Sequence, residues 1–356
     1  VGRRNWKDKK NENHFSSDKT IKNMRIIQLR HPQWGRKVAV VNEPNLVIIS
    51  HFESVFHLAQ AALANRQSLT KFIEEHQSSQ TVGYEQVYEG KSDWKILPAI
   101  DHPTDSRHCM VSGTGLTHKA SAENRQKMNQ AQADNQLTDS MKMYQWGEQG
   151  GKPATGQIGT QPEWFYKGNG SVLRGHNEAL IWPNYGNDGG EEPEVAGIYI
   201  NDHEGNPHRI GFATGNEFSD HVMEKKNYLY LAPSKIRTCS IGPELVITDA
   251  LSDISGEVSI VRNGQILWQK AVKTGEENMA HSLVNLEYHH FKYANHRVPH
   301  DIHVHYFGTG AFSFGDNIRL ADGDLMTVRW EGMGRALKNV LSIEKTTEKM
   351  ALVKAL

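Results

Sequence analysis

Glu192 and Glu194, in the run EEPEVAGIYI, and Glu217, in TGNEFSDH, are the residues of this 356-residue chain whose type and spacing point most directly to chemistry. On an extended strand, residues two apart face the same way, so Glu192 and Glu194 present two carboxylates side by side. Such a pair calls for a cation. Hard divalent ions such as Mg²⁺ or Mn²⁺ take oxygen ligands, and Glu217 is the natural third ligand, leaving coordination positions for water and substrate. An isolated ExE beside Gly189 and Gly190 equally well solvates a turn. The apolar VAGIYI run after Glu194 argues against that, because it sets the pair at the mouth of a buried strand.

Positioning these carboxylates requires β-structure, and the chain after Gly156 supplies it. EWFYKG, VAGIYI, RIGFATG, ELVIT, GEVSIVRNGQILWQKAV, HVHYFGTGAF and LMTVRWEG are short β-prone runs punctuated by Gly, Pro, Asn and Asp. Asn263-Gly264 between alternating strands predicts a type I′ hairpin. Between Met24 and about Pro98, strand-like RKVAVV and NLVIIS precede HLAQAALANRQSLTKFIEEH, whose apolar spacing is helical. Ala122 to Gly156 is polar and Gln-rich, predicting a helix around Asp139 to Trp146 and a surface loop. The expected class is α+β. Residues 1–23 are read as a flexible polar extension, 24–105 as a small N-terminal α/β module, and 106–356 as a mostly β catalytic domain, a mixed β-sandwich roll.

Bulk properties narrow the function further. Lys and Arg number 40 against 41 Asp and Glu, so a net charge of -1 offers no field for nucleic acid or an anionic membrane. No apolar run reaches the ~18 residues of a spanning helix, and the start lacks a signal-peptide pattern. Cys109 and Cys239 stand far apart without a CxxC partner, which fits a reducing cytoplasm rather than a disulfide framework. In HHFKYANHRVPHDIHVHYF, His303 and His305 alternate on one strand face. They suit a zinc site, or a structural wall beside FGTG; the absence of HExxH favours the wall.

EEPEVAG, GNEFSDH and CSIGPEL, in that order, resemble the ExE pair, the later acidic ligand and the Gly-Pro turn of the fumarylacetoacetate-hydrolase-like superfamily. PEWFYKG, FGTG and LADGDLMTVRWEGMGRALKN extend the resemblance across about Val111 to Leu341. It implies a divalent metal, Mg²⁺ or Mn²⁺, a small-molecule 2-oxo acid substrate and a homodimer. Two departures stand out. Glu217 replaces the usual Asp, and SGTGLTHKASAENR departs from the G-x-N-Y-x-x-H-x-x-E pattern of the C–C bond hydrolases. Aligned on Gly115, Ser121 stands at the His position and Asn124 at the Glu position, so the hydrolytic dyad is absent.

GLTH-x-x-S looks more like the sugar-acid branch, which includes dehydratases of 2-oxo-3-deoxy aldonic acids. The resemblance therefore implies a hydro-lyase that acidifies the C3 protons of a chelated 2-oxo acid, removes one, and expels the C4 hydroxyl. It assigns Lys235 to polarising the carbonyl or holding the enolate, and makes Glu123 and His118 candidate bases. Gly113, Thr114, Ser121, Arg125, Lys167 and Thr309 are the expected substrate contacts. Each also has a bland reading: a tight turn, a surface ion pair or a hydrogen-bonded structural histidine. The alternative reaction is C–C hydrolysis of a 2,4-dioxo acid, with His118 or Glu123 in place of the dyad. A non-catalytic sugar-acid-binding protein is the third reading, and the retained carboxylates with Lys235 speak against it.

Overall fold

A computed structural model of the chain describes residues 23–129 and 137–356. The polar extension expected over 1–23 lies outside the described residues, save Asn23, as do residues 130–136, within the stretch where a surface loop is expected. Strands form where the short apolar runs predict them. RIIQL lies in Met24–His31, KVAVV in Gly35–Asn42, VAGIYI in Pro193–Asn201, IGFATG in Pro207–Asn216, and HVHY in Ile302–Tyr306. The predicted hairpin is present. Arg262 pairs with Gln265, and Asn263 and Gly264 both take positive φ, at 52° and 79°, as a type I′ turn demands.

The helical pattern after NLVIIS resolves into two helices, Val55–Ala64 and Leu69–His76, each begun by a serine whose side chain accepts from a backbone N–H in the first turn. The predicted helix near Asp139 runs over Asp139–Gly150, with Thr138 as its cap. CSIGPEL is no turn here: Gly242 and Pro243 lie inside the strand Cys239–Ile247, opposite a register shift between Ala213 and Gly215.

Two sheets carry the molecule. The larger runs from the edge strand Gln77–Gly83 through Met24–His31, Cys239–Ile247, Pro207–Asn216, Pro193–Asn201, Ile302–Tyr306 and Cys109–Gly113 to Phe165–Asn169. Met24, Arg25 and Ile26 pair antiparallel with Ile247, Val246 and Leu245, so strands of the N-terminal module and of the catalytic segment share one sheet across position 105. The smaller sheet holds the Ile254–Arg262 and Gln265–Thr274 hairpin, Leu325–Trp330, Leu337–Ile343 and Leu180–Trp182.

Pro193–Asn201 is buried on both faces, and alternation explains how. Ala196, Ile198 and Ile200 pack with Val55, Leu58 and Ala62 of the first helix, while Val195 and Tyr199 face Val258, Val328 and Trp330 of the smaller sheet. Trp330 also donates its indole N–H to the Glu194 carbonyl at 3.0 Å, tying the smaller sheet to the strand that carries the acidic pair.

Candidate active site

An antiparallel register assembles the acidic cluster from segments far apart in sequence. Pro193 pairs with Asn216 and Glu194 with Gly215, and the pairing continues past the strand ends, where the Glu217 N–H donates to the Glu192 carbonyl at 2.9 Å. Glu192, Glu194 and Glu217 are all buried, and each offers an oxygen within 4.8 Å of the other two. Glu217 is pinned by Lys167 Nζ at 2.6 Å, Lys235 Nζ at 2.7 Å and the Ser219 hydroxyl at 3.1 Å.

Lys235 is the hub. It ends the short helix Leu231–Lys235 and donates to Glu192 at 2.8 and 3.0 Å, to Glu217 and to the Ser219 hydroxyl at 2.9 Å, while Glu224 lies at 3.2 Å. Its Nζ also sits 4.8 Å from the Phe165 ring centre. Burial alone would lower the Lys235 pKa, but Glu192, Glu217 and Glu224 together hold it well above the ordinary lysine value. Burial pushes Glu192 up, and Lys235 and His221 overcome it, so Glu192 stays well below the ordinary carboxylate value. Glu194 goes the other way: burial first, then the charges of Glu217 and Glu192, raise it well above its ordinary value. Glu217 is pushed up to about 7, by burial and then by Glu192.

The donor set fits a hard divalent cation. All its ligand atoms are carboxylate oxygens on buried side chains, and three carboxyl groups meet two ammonium groups, Lys167 and Lys235. Glu194 accepts from the Gly308 N–H at 2.7 Å, which orients it toward the other two.

Around the cluster a narrow space of about 20 Å³ is lined by Ser121, Arg125, His221, Glu224 and Thr309, among others. That is room for one ion or water. Of the expected substrate contacts, Ser121, Arg125 and Thr309 are thus brought to the centre, together with Gly115. Arg125 is held by Glu163 at 2.8 Å and lies 3.5 Å from Glu224. The Thr309 hydroxyl donates to the Ala311 carbonyl at 2.7 Å. Lys167 lies behind Glu217 rather than at the opening. Gly113 and Thr114 are set back: Gly113 packs against the Phe165 ring, and the Thr114 hydroxyl pairs with His305 Nε2 at 2.8 Å.

Neither candidate base lines the opening. The Glu123 side chain is 48% exposed on the outer face of the helix Lys119–Asn129, 3.9 Å from Lys119, because helical spacing turns it away from Ser121 and Ala122, which face inward. His118 is buried but away from the opening, with Nδ1 2.8 Å from the Thr117 hydroxyl and Nε2 3.1 Å from that of Thr274. Burial lowers its pKa to about 4, which holds the ring neutral. The histidine-rich stretch is structural. His305 Nδ1 meets the Ser112 hydroxyl at 2.9 Å and His290 Nε2 meets His303 Nδ1 at 2.9 Å, and among the described residues no histidine group has metal-ligand geometry.

The sequence reading passed over three residues here. His221 Nε2 lies 2.9 Å from Glu192, and its ring stacks on Phe312 and Phe314. Glu224 takes a hydrogen bond from the Ser234 hydroxyl at 3.0 Å and, despite burial, is held below its ordinary pKa by Lys235 and Arg125. Glu163 fills the space beside Gly115, where any Cβ would overlap its carboxylate. His221 and Glu224 both follow Glu217 within GNEFSDHVME, so their nearness in sequence was the available signal.

No family model matches the chain. Over 139 residues it is 27% identical to a protein of Haloferax volcanii described as a probable 2-keto-3-deoxyxylonate dehydratase. That stretch covers 38% of this chain and 46% of the relative, about half its length. A solved structure of 2-keto-3-deoxyarabinonate dehydratase superposes with a TM-score of 0.69 at 19% identity, covering 91% of this chain and all of that one. A 2-keto-3-deoxy-D-arabinonate dehydratase complexed with magnesium and 2,5-dioxopentanoate gives 0.68 at 18% identity over the same 91%. A 5-carboxymethyl-2-hydroxymuconate delta-isomerase from Mycobacterium smegmatis gives 0.55 at 15% identity over 90%. The chain therefore has the fumarylacetoacetate-hydrolase-like fold, in the form shared with the 2-keto-3-deoxyarabinonate dehydratases.

Proposed function

We propose that the protein is a metal-dependent hydro-lyase that removes water from a 2-oxo-3-deoxy sugar acid. The observation that carries the reading is Lys235 Nζ, set between the Glu192 and Glu217 carboxylates and 3.2 Å from Glu224. Apart from Glu192 and Glu194, Glu224 is the carboxylate that lines the opening among the described residues. A divalent metal on Glu192, Glu194 and Glu217 would supply a Lewis acid for the 2-oxo group. In this reading Glu224 takes a proton from C3, Lys235 presents its ammonium to the enolate oxygen that develops, and the C4 hydroxyl leaves as water with the proton that Glu224 returns. Gly308, Thr309 and Ser121 line the same opening, beside which the substrate's carboxylate would lie.

The name of the Haloferax volcanii relative and the ligands of the dehydratase complex support this reading. Hydrolysis of a 2,4-dioxo acid is the weaker account, because the residues that would replace its dyad, His118 and Glu123, are sealed away or turned to solvent. Product analysis by NMR in D₂O, with metal-loaded protein and a panel of 2-oxo-3-deoxy pentonates and hexonates beside 2,4-dioxo acids, separates the two. Water loss is the expected result. Pyruvate with a second carboxylic acid would instead establish hydrolysis.

We place the protein in the cytoplasm, as a homodimer. Buried, free Cys109 and Cys239 support the first, and among the described residues no helix is long and apolar enough to cross a membrane. Light scattering on the purified protein tests the second.

A further inference from the structure

Next to the narrow acidic space lies a second and far larger pocket, of about 500 Å³, lined by Asn124, Asn187, Asp188, Lys225, Asn317 and Arg319, with Val222 and Phe314. The two are neighbours along three segments of chain. Asn124 precedes Arg125, Val222 and Lys225 follow His221 and Glu224, and Phe314 lies two residues beyond Phe312. The wall between them is the His221 ring, stacked on Phe312 at 4.8 Å and Phe314 at 5.3 Å. On the inner side its Nε2 meets Glu192 at 2.9 Å, and on the outer side its Nδ1 stands 4.0 Å from Asp188. A molecule whose reacting end lies at the acidic cluster would reach this outer pocket only past the His221 ring.

The chemistry of the two ends is opposite. Inside, each cation is committed: Lys167 and Lys235 to the acidic cluster, Arg125 to Glu163, and Arg237 to Asp220 at 3.0 Å. In the outer pocket the charged ends of Lys225 and Arg319 make no hydrogen bond or ion pair among the described residues. The amides of Asn124, Asn187 and Asn317 offer both donors and acceptors, which suit hydroxyl groups, and Asp188 at the inner end adds an acceptor. Two uncommitted cations beyond them suit a carboxylate.

We propose that the outer pocket is a subsite for an anionic far end, so that the substrate is a 2-oxo-3-deoxy diacid with hydroxyl groups between its two carboxylates. The inference rests on the dehydratase reading for which end lies at the acidic cluster. Lys225 and Arg319 are specificity residues in it, and Asn124 and Asn187 hold the intervening hydroxyls.

The test uses two unreactive acids of equal length, 2-oxoadipate and 2-oxohexanoate, which differ only in the far carboxylate. Their binding to the Mg²⁺-loaded protein is measured by calorimetry, with wild type and with the Lys225→Met, Arg319→Met double variant. Wild type should bind 2-oxoadipate at least about tenfold more tightly than 2-oxohexanoate, an advantage the double variant should lose while its affinity for 2-oxohexanoate stays within about twofold. Equal binding of the two acids by wild type, or an advantage that survives in the double variant, overturns the subsite and leaves the dehydratase reading in place. Mg²⁺ binding without binding of either acid overturns both.

Discussion

Three carboxylates within 4.8 Å in a buried space repel one another, and the protein holds them there with Lys167, Lys235 and a single backbone N–H to Glu194. Glu194→Gln keeps an oxygen for the Gly308 N–H and removes one charge. It should weaken Mg²⁺ or Mn²⁺ binding by about 100-fold or more while leaving the metal-free melting temperature unchanged or higher, a pairing that metal titration and calorimetry with chelator present would check. If Glu224 is the base, Glu224→Gln should lower kcat about 10²- to 10⁴-fold with metal affinity nearly unchanged. Glu123→Gln, at a solvated position, should leave kcat within about twofold of wild type, and steady-state kinetics on the same substrate decides both.

The strands deliver these side chains, and their close approach depends on particular small residues. Gly215 pairs with Glu194, and a Cβ there would lie 2.5 Å from the Tyr306 ring, whose hydroxyl donates to the Ser240 carbonyl at 2.9 Å. Gly215→Ala must push that ring aside, and is expected to cost about 1–3 kcal/mol in urea unfolding and to shift the Glu194 register enough to weaken metal binding. The strands that carry alternating apolar residues were legible in the sequence, as was the Asn263-Gly264 turn. The edge strand Gln77–Gly83, QSSQTVG, was not, because it is polar and largely solvated and forms only by pairing with Asn45–Ile49. The same holds for the helix that ends at Lys235, which is five residues long and contains Pro233, too short for any periodic signal.

At the scale of the molecule, metal and protons both act on stability. A ligand that binds only the folded state stabilises it by about 2.7 kcal/mol at 100 times its Kd, so the melting temperature should rise with added Mg²⁺ and fall back with chelator. Acid acts in the opposite sense. Burial lowers the pKa of His303 and of His305 to about 3, whereas an unfolded histidine titrates near 6.5. Their folded forms are neutral, so below about pH 6.5 the unfolded chain takes up protons that the native state refuses. Stability is lost as pH falls from there toward 3, by up to about 1.4 kcal/mol per pH unit for each histidine. Melting curves between pH 7.5 and 5 should show that decline, and His305→Gln should flatten it. A melting temperature independent of pH over that range would show that these rings are not held neutral.

By itself the sequence determined what is written in local pattern: the β-rich texture, the hairpin, the helical stretch after NLVIIS, and the acidic residues Glu192, Glu194 and Glu217 as candidates for one site. Residue types and alternation suffice for these, because a strand fixes which side chains share a face. The tertiary structure decided which neighbours of those residues face the centre. Glu123 and Glu224 are both charged residues on helices beside it, yet one points to solvent and the other lies buried against Lys235, a difference set by how each helix packs. It also decided that residues on either side of position 105 share one sheet, since the pairing of Met24 with Ile247 joins positions too far apart for any local signal to register.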